Sequence, residues 1–77
     1  MTKELDHMIQ KFPGYRGRLI ELFRTNEDFR SLCDDYWQCD SKLIHLRQNT
    51  IKDTRAENSY ALLLLDLEQE VMRFLTV

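Results

Sequence analysis

One proline and two glycines in 77 residues leave few points where the chain can break. That shortage excludes a loop-rich fold and favours long helices. Strands are excluded on other grounds, because no segment of useful length alternates apolar and polar residues. Long apolar runs are also missing. The longest uninterrupted one, Ala61 to Leu65, falls far short of the roughly 20 residues that a membrane span needs. The first ten residues carry acids and no apolar stretch of signal-peptide length, so a cytoplasmic location is expected. Two cysteines are too few for a disulfide scaffold and are expected to be reduced thiols. There is no glycine-rich phosphate loop and no Ser/His/Asp constellation, so no enzyme activity and no cofactor are expected.

A stripe of one charge sign is missing too. Net charge is −2, with 11 basic and 13 acidic side chains. Residues 1–24 hold five basic and three acidic groups, and residues 25–48 and 49–77 hold three and five each. The signs are interspersed throughout, which gives a phosphate backbone no track to follow and argues against nucleic acid as a partner. At 43% hydrophobic and 31% charged, the chain has the composition of one small folded domain.

What the chain does have is a mirrored apolar pattern. Phe29, Leu32, Tyr36, Cys39 and Leu43 step by three and four residues, which places them on one helix face. Read backward, Phe74, Val71, Leu67, Leu64 and Tyr60 step identically. Folding the chain near Ile51 pairs all five positions in one register, Phe29 with Phe74 through Leu43 with Tyr60. The prediction is an all-α fold built on an antiparallel helical hairpin, with Cys39 and Leu64 facing each other and both buried.

Local signals divide the single domain. Residues 1–24 are expected to form short helices, one over 3–12 and one from Pro13 to Arg24, interrupted at Pro13 and Gly14. The first, with Leu5, Met8, Ile9 and Phe12 on one face, turns Lys3, His7 and Lys11 elsewhere. Thr25 or Asn26 caps the first long helix, over 25–49, with Glu27 and Asp28 at its positive end. Residues 50–53 are the turn. The second long helix covers 54–76, and Thr54 with Glu57 fits a capping box.

Both long helices carry more apolar surface than a two-helix seam buries. Cys33, Trp37 and Ile44 flank the first seam, and Leu65, Met72 and Leu75 flank the second. The short N-terminal helices are expected to cover one flank. A second copy of the chain, or another protein, is expected on the other. These six residues are the candidate interface, and the reading is a protein-interaction or assembly module that is homodimeric or larger. Trp37 is either core, against Leu19 or Phe23, or an interface anchor.

Phe12-Pro13-x-Tyr15-Arg16, Asn26-x-x-Phe29-Arg30-x-Leu32, then Tyr36 and Asp40, and Leu63-Leu64-Leu65-Asp66 resemble the YdcH-like family of short bacterial proteins. The likeness spans roughly residues 7–75. It implies a helical hairpin from a bacterial cytoplasm and no activity. The chain departs from the family where Leu65 stands in place of a basic residue, and at Cys33, Trp37 and Cys39.

The alternative function is a redox- or metal-responsive thiol protein that uses Cys33 across a dimer interface. Cys33, Cys39 and His45 are spaced by six, a rotation of about 240° and a rise of about 9 Å per step. Within one chain they cannot converge on a tetrahedral ion, and Cys33 cannot reach Cys39 to form a disulfide. Asp34 and Asp35 beside Cys33 oppose a reactive thiolate.

Overall fold

A computed structural model describes residues 2–49, 51 and 53–76. Thr2 starts the first helix, α1 (Lys3–Lys11), by accepting a hydrogen bond from the Leu5 amide at 3.2 Å, and Glu4 and Asp6 sit in its positive first turn. The Phe12 amide closes α1 on the Met8 carbonyl. Pro13–Tyr15 then form one tight 3-10 turn, and α2 (Arg16–Thr25) follows, so Pro13 stands ahead of the helix rather than inside it. Asn26 ends α2 and caps α3 (Glu27–Gln48), its side-chain oxygen accepting from the Phe29 amide at 3.1 Å. The last helix is α4 (Thr54–Leu75). Its cap is Asp53, whose carboxylate accepts from the Ala56 amide at 3.1 Å. Thr54 is therefore the first helical residue, and the Thr54–Glu57 capping box does not form.

The fold is all-α. α3 is its central element, packed against α4 and against both α1 and α2, and the core that α1 and α2 complete also takes in side chains of α4. The order of contacts along α3 and α4 is antiparallel. Phe29 meets Phe74 edge to face at 5.2 Å, Tyr36 donates to Glu68, and Cys39 Sγ donates to the Tyr60 carbonyl at 3.4 Å. The core gathers Leu5 and Met8 from α1, Leu19 and Leu22 from α2, and Phe29, Leu32, Cys33 and Tyr36 from α3 with Val71 and Leu75 from α4.

Helix length decides where this core stops. At about 1.5 Å per residue, α1 and α2 are about 14 and 15 Å long, whereas α3 and α4 are each about 33 Å. The short helices therefore cover only the part of the hairpin between their connection at Asn26 and Asp40, which His7 and Lys11 of α1 reach. The remainder stands free as a two-helix stalk, and the molecule measures 41 × 23 × 22 Å.

Candidate functional site

The seam divides unevenly. On α3, Phe29, Leu32, Tyr36, Cys39 and Leu43 are all buried. On α4, Val71 is buried, while Tyr60, Leu64, Leu67 and Phe74 are half-buried. Expecting Leu64 to be as buried as Cys39 is thus corrected. α3 packs against all three other helices and α4 mainly against α3, so α4 keeps an open edge.

The predicted flank residues separate in the same way. Cys33 is fully buried and Leu75 nearly so, both inside the core that α1 and α2 complete. Neither is available to a partner, which corrects their assignment to the interface. Met72 is half-buried against the core. Trp37 is half-buried and lies outside the core cluster, so it does not pack as a core residue with Leu19 or Phe23. Ile44 and Leu65 are exposed, at 47% and 54%. Leu62, Leu63 and Ile51 join them on the surface, and Leu62 is the most exposed of the α4 leucines at 65%. Ile44, Ile51, Leu62 and Leu63 lie toward the turn end of the hairpin, whereas Leu65 borders a groove beside Phe12 at the end of α1. Periodicity counted Leu62 and Leu63 on neither seam nor flank. Their position at roughly 200° and 300° from Tyr60 was the available signal.

Two grooves follow the edges of α4. One, of about 410 Å³, runs between α3 and α4 and is lined by Cys39, Tyr60, Leu63 and Leu67, with Asp35 and Lys42 at its rim. The other, of about 480 Å³, runs between the end of α1 and the outer face of α4, past Phe12, Leu65, Gln69 and Met72.

A polar cluster ties α1 to the hairpin. His7 Nε2 lies 2.7 Å from Asp40 Oδ2, and Lys11 Nζ lies 3.7 Å from the same oxygen. A carboxylate only accepts, so the imidazole nitrogen carries the proton. The His7 ring packs on Tyr36 at 5.3 Å, and the Tyr36 hydroxyl donates to Glu68 at 2.8 Å. His7 was expected to turn away from the core face of α1 and does the opposite. Asp40 gave the signal: it falls at about 40° from Tyr36, inside the apolar stripe of α3, where a charge requires a partner. The cluster has no nucleophile free to act. His7 holds Asp40 through Nε2 while its Nδ1 is buried without a partner among the described residues, and Tyr36 holds Glu68 at the edge of a groove, so the first pair fastens α1 to α3 and the second joins α3 to α4.

Burial governs the thiols. It pushes Cys33 up from its ordinary 9.0 to about 12, with the charge of Glu4 adding to the effect. Burial and the Asp40 charge raise Cys39 as well. Tyr36 is raised by burial first, then by its hydrogen bond and charge interaction with Glu68. A fully buried thiol with a raised pKa is neither a nucleophile nor a bridge to a second chain. The burial of Cys33 therefore removes the geometric basis of the thiol reading. His45 is exposed, and among the described residues no three His, Cys, Asp or Glu side chains converge as a metal site requires.

Alkaline stability follows from these shifts. The unfolded chain loses the Cys33 proton near 9.0, whereas the native state keeps it to about 12. Unfolding thus releases a proton in that window, and stability is expected to fall as pH rises through it. Tyr36 and Cys39 act with the same sign. Urea midpoints measured below pH 9 and within the window should show the fall, and Cys33→Ala should make it shallower. Equal slopes for the two proteins would show that Cys33 is not the cause.

Comparison with protein-family models, curated proteins and solved structures finds no match. Among the described residues, no helix is long and apolar enough to cross a membrane.

Proposed function

We propose that this chain is a small helical assembly module that associates with itself through the outer face of α4. The observation carrying the reading is the exposure of Leu62 and Leu65 on a helix whose opposite face is already used in the hairpin. Single exposed leucines are ordinary on protein surfaces. Here they stand together, one turn apart, on the face of α4 turned away from α3, Leu65 beside the end of α1 and Leu62 one turn further toward the stalk. Ile44 and Leu63 extend the apolar surface around the stalk. The absence of a converging catalytic or ligand-holding set in the polar cluster leaves this surface as the distinctive feature. The YdcH-like resemblance supports a bacterial cytoplasmic setting for the module and contributes no activity.

Self-association is favoured over a different partner by economy of surface. A two-fold axis lets one patch cover its own copy. Light scattering coupled to size exclusion tests it, over ten micromolar to one millimolar protein. The apparent mass should rise with concentration from 9.3 kDa toward twice that value. Leu65→Glu should hold it at the monomer mass, because a buried carboxylate opposite leucine is costly. A wild-type chain that stays at 9.3 kDa throughout, or a Leu65→Glu variant that associates equally well, would rule the reading out.

A further inference from the structure

The outer face of α4 carries a second spaced pattern, independent of the hairpin seam. Asn58, Leu62, Leu65, Gln69 and Met72 step by four, three, four and three residues. They lie at about 120–200° from Tyr60, on the side facing away from α3. The first four are exposed and Met72 is half-buried. None is charged, in a chain where 31% of residues are. Three of the five are apolar, and the four-three spacing is that of a helix seam two heptads long.

The stripe is palindromic in character. Leu62 with Leu65 and Asn58 with Gln69 are pairs whose numbers both add to 127. Resting on the self-assembly reading, we infer that α4 pairs antiparallel with α4 of a second copy in this one register. Leu62 then packs on the partner's Leu65, and the reverse, giving a four-leucine centre. Asn58 faces the partner's Gln69 on either side. Each amide both donates and accepts, so the two can satisfy each other. Polar pairs at such positions specify register in helix pairs. A slip of seven residues one way sets Leu65 against Gln69 and Leu62 against Met72, which loses the leucine centre and the amide pairs, and the other way sets Leu62 against Asn58.

Shape selects the antiparallel orientation over the parallel one. Each molecule is broad where α1 and α2 sit and narrow at the stalk. Running the two α4 helices in opposite directions lays the bare stalk of one copy beside the broad base of the other. The groove past Phe12 and Met72 lies along that half of the stripe, where the partner's Leu62 and Asn58 arrive. Opposed helix dipoles add to the preference. A parallel pair would crowd the two bases together and leave both stalks bare. The pairing strip is about 33 Å long and about 10 Å wide, on the order of 300 Å² per chain. Stable complexes bury about 800 Å² per partner, so the association is weak and reversible.

Cysteine cross-linking tests the register. Asn58→Cys and Gln69→Cys are surface substitutions, and the native thiols are buried, so the wild-type chain serves as the uncross-linked control. Circular dichroism of each variant checks that the helices are intact. Mild oxidation of an equal mixture should give a covalent dimer of mixed mass. Asn58→Cys alone should give none, because in this register its two copies lie eleven positions apart along the axis, about 16 Å, beyond disulfide reach. If Asn58→Cys cross-links to itself, or if the mixture gives no mixed dimer while light scattering reports association, the register is wrong and the assembly reading stands. If light scattering finds a monomer at every concentration, both fall.

Discussion

Phe29→Ala is expected to lower stability by about 3–5 kcal/mol, the usual cost of removing a buried aromatic ring. Phe29 has no exposed surface, meets Phe74 edge to face, and sits at the start of α3 where α2, α3 and α4 converge. The gap it leaves has helices on every side, and none can collapse into it without losing its own contacts. Small domains hold about 5 kcal/mol or little more in total, so the variant should be largely unfolded at room temperature. Far-UV circular dichroism against urea reads the effect directly. Leu62→Ala is the control: it removes a larger exposed apolar group than most surface changes do and should leave the monomer's midpoint unmoved. An unchanged midpoint for Phe29→Ala would contradict the placement of the core.

Asp40→Ala should cost about 1.5–3 kcal/mol, the range for hydrogen bonds to charged groups. The loss has a local character. His7 and Lys11 both belong to α1, so removing Asp40 releases that helix before the hairpin. Asp40→Asn keeps an acceptor for the His7 ring and should lose less. A double-mutant cycle with His7→Ala separates this pairing from general packing. Coupling between the two positions is the expected result. Strict additivity would mean that the 2.7 Å contact contributes nothing.

Much of the architecture was legible because the seam follows one rule. Regular three- and four-residue spacing marks a helix face, and the absence of alternation marks the absence of strands, so the all-α class followed from pattern alone. What escaped was set by length and by exceptions to the pattern. Cys33 and Leu75 read as flank residues because each lies off the seam of its own helix, and only the docking of α1 and α2 buries them. Ile44 and Leu65 lie off the seam too and stay exposed, Leu65 at the edge of the groove beside Phe12. Periodicity gives an angle around a helix and says nothing of which neighbour arrives there. The polar cluster was hidden for a related reason. Asp40 interrupts an apolar stripe, and the residue that satisfies it is 33 positions away in sequence. The Asp53 cap was missed because the adjacent Thr54 also fits a capping pattern, and only backbone geometry decides between neighbouring caps.

The self-association of α4 is the claim on which the functional account rests, and thermal unfolding as a function of protein concentration tests it most directly. Association of the native form and not of the unfolded chain stabilises the native form by mass action, so its midpoint rises with concentration. The wild-type midpoint should rise across the micromolar to millimolar range, and that of Leu65→Glu should stay flat while its helicity matches wild type. A wild-type midpoint independent of concentration, or an equal rise in Leu65→Glu, would contradict it.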